Sequence, residues 1–90
     1  MGELEAIRTF LTVADQSSFT AAARLLGMTP ASVTRTVSGL EEQLGVQLLL
    51  RTTRKVSLTS AGAAYAARVA PLVESLARAT EETRDLQKVT

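Results

Sequence analysis

Apolar side chains recur at the three- and four-residue spacing of an amphipathic helix in three stretches of the first 45 residues. In residues 3–16 the apolar stripe consists of Leu4, Ile7, Leu11 and Ala14, widened by Phe10. In residues 18–27 it consists of Phe19, Ala22, Ala23 and Leu26. In residues 28–45 it consists of Val33, Val37, Leu40 and Leu44. The pattern predicts three helices that bury these stripes in one core.

The third helix has marked ends and two unlike faces. Thr29 is a suitable N-cap, Pro30 suits the first helical position, and Gly45 suits a left-handed C-cap. The face opposite the apolar stripe carries short side chains and one guanidinium: Ala31, Ser32, Thr34 at its margin, Arg35, Ser38 and Gly39. Because the helix dipole also makes the N-terminal end attract anions, we interpret this as a recognition helix. An ordinary amphipathic core helix fits the segment alone equally well.

The second and third helices are joined by a very short link, residues 27–29. Ser18 can cap the second helix, and the alanines at 21–23 allow a close helix crossing. This arrangement has the sequence form of a helix-turn-helix. A helical hairpin that binds no ligand is the alternative.

Two short apolar segments follow Gly45, at 46–51 and 56–58, and they flank a polar turn. They predict a two-stranded hairpin that leans on the helices through its leucines. Its exposed tip would bring Arg51, Arg54 and Lys55 together. A basic hairpin beside a helix-turn-helix is termed a wing, and a solvated loop is the alternative for these three residues.

An alanine-rich stretch from about residue 61 to residue 88 predicts one long helix, capped by Thr59-Ser60, although Gly62 and Pro71 oppose it. At about 1.5 Å per residue it would span roughly 40 Å, which is too long to pack on so small a domain. Apolar positions alternate at spacings of four and three, as in the seam of a two-helix coiled coil. The predicted dimer seam comprises Tyr65, Val69, Leu72, Leu76, Ala79, Thr83 and Leu86. Packing on a neighbouring domain is the alternative.

The amino-acid composition excludes several kinds of metal site and catalytic site. The 90 residues include neither cysteine nor histidine, so thiolate and imidazole metal sites and histidine-based catalysis are excluded. No nucleophile paired with a base is visible, and we therefore predict no enzyme activity and no cofactor. No apolar run is long enough to span a bilayer, and acidic residues near the N-terminus are unlike a signal peptide. We expect a cytoplasmic protein without a membrane partner.

The charge is distributed unevenly along the chain. The net charge is only +1, but residues 17–60 hold five basic and two acidic residues, an excess of three. Contacts with phosphate would therefore depend on a few placed side chains and not on bulk charge.

Several motifs, taken in order and spacing, resemble the N-terminal DNA-binding domain of LysR-type transcriptional regulators. They are SFTAAARLL at 18–26, TPASVTR at 29–35, LEEQLG at 40–45, LLLRT at 48–52 and LTSAG at 58–62. The resemblance covers nearly the whole chain. It implies a mainly α fold: a winged helix-turn-helix domain of three helices and a hairpin over residues 1–59, then a linker and dimerisation helix over 60–90.

The resemblance also implies a partner and a set of contacts. The third helix would enter the major groove of double-stranded promoter DNA, and the wing would enter the adjoining minor groove. Linker helices of two subunits would pair antiparallel in a homodimer. By position, the residues facing the bases fall on Pro30, Ala31, Thr34 and Arg35, and the wing contacts on Arg51 and Arg54. Many members carry Gln where this chain has Pro30, and Gln can pair bidentately with adenine whereas Pro cannot.

Full-length members of the family continue into an effector-binding domain. We therefore expect this chain to be an isolated domain or a fragment, with assembly of a full-length protein into a tetramer left open.

We predict sequence-specific binding of double-stranded DNA. The candidate contact residues are Ser18, Thr29, Pro30, Ala31, Ser32, Thr34, Arg35, Ser38, Arg51, Arg54 and Lys55. The rival hypothesis is a helical dimerisation or protein-interaction module that binds no nucleic acid. DNA binding requires the basic side chains of the third helix and the wing on one surface, whereas the rival leaves them scattered.

Overall fold

The computed structural model describes residues 2–52 and 55–89. The elements are, in chain order, α1 (Glu3–Gln16), α2 (Phe19–Leu26), α3 (Pro30–Leu44), β1 (Leu49–Arg51), β2 (Val56–Leu58) and α4 (Ser60–Val89). The predicted fold class is confirmed: three short helices, a two-stranded antiparallel hairpin and one long helix.

Helices α2 and α3 begin and end at the predicted residues. The Ser18 hydroxyl oxygen accepts a hydrogen bond from the Ala21 N–H at 3.1 Å, and the Thr29 hydroxyl oxygen accepts one from the Ser32 N–H at 3.1 Å. Both helices end at left-handed glycines, Gly27 (φ 67°) and Gly45 (φ 73°). These caps satisfy helix ends that would otherwise lack partners, and they fix the short link between the two helices.

The core lies where the inner faces of α1, α2 and α3 meet the start of the hairpin. Its buried apolar residues are Phe10, Val13, Ala22, Ala23, Val33, Val37, Leu40, Leu48 and Leu49. The hairpin leucines therefore lean on the helices as predicted, with the exception of Leu50, which is exposed on the outer face of β1.

The most buried side of α1 is displaced from the centre of the predicted stripe, although Phe10, which widens that stripe, is fully buried. The deepest side chains of α1 are Thr9, Phe10 and Val13. The four predicted stripe residues lie half-buried or exposed along the side of α1 that faces α4: Leu4, Ile7, Leu11 and Ala14. The physical reason is that α1 packs against α2 and α3 through one face and against α4 through the next, so its apolar surface is wider than one stripe.

The hairpin pairs Leu49 with Leu58 and Arg51 with Val56 in an antiparallel register. The first predicted strand begins later than expected, because residues 46–48 form no strand. The Leu48 carbonyl oxygen accepts a hydrogen bond from the Thr59 N–H at 3.0 Å, in the register of the hairpin, but the Leu48 N–H donates to the Glu41 carboxylate at 2.7 Å. A backbone N–H that is bonded to a side chain is not available for strand pairing.

Helix α4 starts at a close approach between two backbones. The Thr59 hydroxyl accepts a hydrogen bond from the Gly62 N–H at 2.9 Å and donates one to the Gln47 carbonyl oxygen at 2.6 Å. A Cβ atom at Gly62 would collide with the carbonyl oxygen of Leu48. The packing of α4 on the hairpin therefore requires glycine at a position that is otherwise unfavourable for a helix.

The first part of α4 packs closely on the rest of the chain, whereas residues 74–88 are all exposed. The rings of Tyr65 and Phe10 lie 6.0 Å apart, and Val69 is 9% exposed. Burial, reinforced by the Glu3 carboxylate, raises the pKa of the Tyr65 phenol above its ordinary value. These two seam positions are already packed within the chain, and their place in a dimer seam stays a prediction. Beyond Pro71 the helix projects, and the molecule measures 53 × 25 × 20 Å.

Candidate nucleic-acid interface

The exposed face of α3 is the one that the sequence pattern predicts. Pro30, Ala31, Arg35 and Gly39 are exposed, while Ser32, Thr34 and Ser38 are partly buried. The opposite face of the helix, which carries Val33, Val37 and Leu40, is fully covered by the core. Short side chains on the outer face leave the helix backbone accessible, as close approach to a groove requires.

Hydrogen bonds organise the N-terminal turn of α3 around Ser32. The Thr29 hydroxyl donates to Ser32 Oγ at 2.9 Å, and Arg35 Nη2 donates to the same atom at 3.2 Å. Because a guanidinium has five N–H donors, this single bond leaves most of them available to a ligand. Arg35 is therefore exposed in the N-terminal half of α3 with most of its donors available.

The Arg51 side chain is bound to the helix-turn-helix, although the residue lies next to the turn of the wing. It is the last residue of β1, and its guanidinium carbon lies 4.7 Å from the centre of the Phe19 ring on α2. Its Nη2 atom is 3.4 Å from Ser38 Oγ and 3.6 Å from Glu41 Oε1, both on α3. The side chain keeps 35% exposure. The Arg51 side chain therefore contacts both helices, and its predicted proximity to Arg54 lies outside the described residues.

This contact places two of the predicted cations on one surface. Ser38 follows Arg35 by three residues, so the two lie about one turn apart on neighbouring positions of α3. Because Arg51 reaches Ser38, the end of β1 next to the wing turn and Arg35 lie on the same side of the molecule. The sequence pattern left this point open.

Glu41 is a residue of this surface that the sequence analysis did not single out. Its Oε2 atom accepts hydrogen bonds from the Leu48 N–H at 2.7 Å and the Leu49 N–H at 3.1 Å. The carboxylate thus binds the start of the wing to α3. Its partners lie seven and eight residues further along, beyond the chain reversal at Gly45, so helical periodicity carries no signal for this role.

The remaining candidate residues occupy the edges of the surface. Lys55 lies on the turn of the wing, where its backbone N–H donates to Thr52 Oγ1 at 3.0 Å and its carbonyl oxygen accepts from the Thr52 N–H at 2.9 Å. Ser18 caps α2 and directly precedes Phe19, which lies under Arg51. Arg54, predicted as a wing contact, lies outside the described residues.

The described ranges, 2–52 and 55–89, contain neither a metal-ligand cluster nor a helix suited to a membrane. Within them no three His, Cys, Asp or Glu side chains come together as a metal site would need. In the same ranges no helix has the length and apolar character required to cross a membrane.

The sequence has clear relatives among bacterial regulators. A family described as bacterial regulatory helix-turn-helix protein, lysR family, matches residues 4–63. An HTH-type transcriptional repressor of Pseudomonas aeruginosa is 54% identical over 65 residues, which are 72% of this chain and 20% of that protein. The HTH-type transcriptional regulator CrgA of Neisseria meningitidis is 44% identical over 78 residues, which are 87% of this chain and 26% of that protein. The chain thus spans only a fifth to about a quarter of these relatives.

Solved structures extend the similarity to the fold. The BenM DNA-binding domain in complex with catB site 1 DNA superimposes with a TM-score of 0.88 at 31% identity, covering 97% of this chain and 94% of that chain. The CbnR DNA-binding domain in complex with DNA gives a TM-score of 0.85 at 31% identity, covering 96% and 99%. The matching family is one of transcriptional regulators and not of enzymes. With the sequence match over most of the helix-turn-helix and wing, and the same arrangement of elements, the chain belongs to the LysR family of bacterial regulatory helix-turn-helix proteins.

Proposed function

We propose that the chain is the DNA-binding module of a dimeric transcriptional regulator. In this proposal α3 enters the major groove of double-stranded operator DNA, with Pro30, Ala31, Thr34 and Arg35 nearest the base edges. The wing follows the adjoining backbone and minor groove, where Lys55, Arg51 and the predicted Arg54 neutralise phosphates. Thr29, Ser32, Ser38 and Ser18 support these contacts from the helix ends and from the edge of α3.

The observation that carries the proposal is the position of Arg51 against Ser38, one turn from Arg35. It supports a single cationic surface that includes the recognition helix and the end of β1 next to the wing turn. The relatives that superimpose on this chain in complex with DNA support the same reading. The rival hypothesis is an interaction module without a nucleic-acid role. It does not require these basic side chains to share one surface, so it explains their arrangement less well.

The proposal assigns different roles to two parts of the chain. Residues 1–59 would form the DNA-binding domain, and residues 60–90 the linker helix that pairs with its copy in a second subunit. The exposed Leu72, Leu76 and Leu86 support this pairing, since they form an apolar row on the projecting part of α4. Ala79 and Thr83 complete the proposed seam. Promoter DNA as the target puts the proposed site of action in the bacterial cytoplasm, and no catalytic activity is proposed.

A salt titration against promoter DNA tests this function. Binding of the protein to fluorescently labelled candidate promoter fragments should weaken as salt rises, because phosphate contacts release counterions. At each salt concentration at least one fragment should bind more tightly than a shuffled duplex of equal length and composition. Equal binding to all fragments, or none, would contradict sequence-specific DNA binding.

Replacing Arg35 tests the recognition helix. Arg35→Ala should weaken binding to the preferred fragment by about 1–3 kcal/mol and reduce the discrimination against shuffled DNA, because a bidentate donor is lost from the groove. Arg78→Ala, on the outer side of the projecting α4, is the matched control and should leave the discrimination unchanged. An equal loss on specific and shuffled DNA would mean that Arg35 contacts only phosphate.

Replacing Lys55 tests the wing. Lys55→Ala should weaken binding to both duplexes similarly and lower the slope of log affinity against log salt by about one, the contribution of one phosphate contact. The slope is measured by fluorescence anisotropy over a salt series. A variant with the slope of the unmodified protein would remove Lys55 from the interface.

A further inference from the structure

We propose that Glu41 is a positioning residue that sets the wing against the recognition helix, so that the wing cations meet the DNA backbone in a fixed geometry. The inference rests on the proposed DNA-binding function and deepens it. It concerns an acidic side chain on a surface that has to approach a polyanion.

The wing is attached to α3 through the Glu41 side chain. The N–H groups of Leu49, which begins β1, and of the preceding Leu48 donate to one oxygen of the Glu41 carboxylate, at 3.1 Å and 2.7 Å. The Glu41 side chain is only 16% exposed, so these charge-assisted bonds are partly shielded from water. The direction in which β1 leaves the core is therefore set by a side chain of α3.

The Glu41 carboxylate also contacts Arg51 at the other end of β1. The other carboxylate oxygen lies 3.6 Å from Arg51 Nη2, and the guanidinium also contacts Ser38 and the Phe19 ring. One end of β1 is thus held through its backbone and the other through its last side chain. Since Phe19 begins α2 and Glu41 lies on α3, the wing is fixed to both helices of the helix-turn-helix.

Two possible roles of the Glu41 charge predict opposite effects of its neutralisation on DNA affinity. If Glu41 merely contributed a negative charge near DNA, its neutralisation would reduce repulsion and tighten binding. If Glu41 positions the wing, neutralisation weakens the hold on Arg51, and binding becomes weaker because the wing must be ordered when DNA binds. The neighbouring Glu42 is exposed and carries the same charge on the same helix. It therefore offers a matched control.

The experiment compares Glu41→Gln with Glu42→Gln in the full chain, with sheared genomic DNA of mixed sequence as the probe. Gln at position 41 keeps an oxygen that can accept from the Leu48 and Leu49 N–H groups. Glu41→Gln should bind about twofold to fivefold more weakly than the unmodified protein, the range expected for loss of a partly exposed ion pair. Glu42→Gln should bind equally or more tightly. Glu41→Gln binding as tightly as Glu42→Gln would overturn the proposal.

Two further variants keep the test decisive. Glu41→Asp retains the charge but has a shorter side chain. A positioning role therefore predicts weaker DNA binding, whereas electrostatic repulsion alone predicts unchanged DNA binding. In the Arg51→Ala background the effect of Glu41→Gln should shrink, because part of it acts through Arg51, and fully additive effects would contradict the inference. Thermal unfolding by circular dichroism is measured for each variant, and weaker binding that merely parallels the unfolded fraction would also overturn it. If the unmodified protein binds no DNA, the proposed function fails and not the role of Glu41.

Discussion

The two halves of α4 have the same apolar spacing but very different surroundings. Before Pro71, Gly62, Tyr65 and Val69 pack on the hairpin and on α1. After it, Leu72, Leu76 and Leu86 are 66%, 45% and 70% exposed. A continuous four-three spacing therefore serves packing within the chain over one half of the helix and leaves an uncovered apolar row over the other. Periodicity identifies the apolar face of a helix, but it does not identify what covers that face.

The two halves of α4 differ in burial because the helix is longer than the core on which it packs. A helix of 30 residues is about 45 Å long, whereas the molecule is 25 × 20 Å across its shorter directions. Helix α4 therefore extends past the core after about three turns. Pro71 lies on the exposed side near this transition, where its missing N–H interrupts the helix hydrogen bonds without disturbing the packed face.

The largest effect is expected from a charge in the uncovered row. Leu76→Glu, and likewise Leu72→Glu, should leave the fold of residues 1–59 intact but convert the proposed dimer to a monomer, because a carboxylate would be buried in the seam. A monomer engages one half-site, so affinity for a two-half-site operator should fall about a hundredfold or more through lost avidity. Sedimentation velocity and DNA titration measure the two effects.

A matched control separates the seam from the helix surface. Ala77→Glu introduces the same charge on the exposed side of the same turn and should leave the protein dimeric. A dimer that survives both leucine substitutions would mean that the projecting half of α4 is covered by something other than its copy.

The next largest effect is expected at the packed end of α4. Gly62→Ala should lower the free energy of unfolding by about 1–3 kcal/mol, since its Cβ collides with the backbone of Leu48, which cannot turn aside. Gly39→Ala is the control on α3, where a Cβ meets open space, and it should raise stability by about 0.5–1 kcal/mol. Urea unfolding measures both. A Gly62→Ala variant that is as stable as Gly39→Ala would mean that α4 shifts easily on the hairpin.

Features that depend on neighbouring residues were predictable from the sequence. The caps at Ser18 and Thr29 and the left-handed glycines that end α2 and α3 act within one turn, so their residue types reveal them. The exposed face of α3 likewise follows from its period. These local rules gave the helix boundaries and most of the candidate contact surface.

Features that depend on distant partners were not predictable. Gly62 looks like a flaw in a helix until the Leu48 backbone lies against it. Glu41 looks like an ordinary solvated glutamate until the chain reverses and brings two N–H groups to it. Arg51 looks like a residue of the wing tip, but its pairing with Val56 and the nearby Phe19 ring direct it to the helices. The wide apolar face of α1 has the same origin, because it is shared between two packing partners.

The smallest expected effect tests the boundary between the two halves of α4 directly, with one variant on each side of Pro71. Val69→Ala removes two buried methyl groups and should lower the free energy of unfolding by about 1–2 kcal/mol at every protein concentration. Leu72→Ala should cost stability only where the protein is dimeric, because two-thirds of this side chain is exposed in the single chain. Urea unfolding over a dilution series, with sedimentation at the same concentrations, distinguishes the two. If the cost of Val69→Ala also disappears on dilution, Val69 is covered by the partner subunit, and the seam extends to the N-terminal half of α4 as the sequence pattern alone suggests.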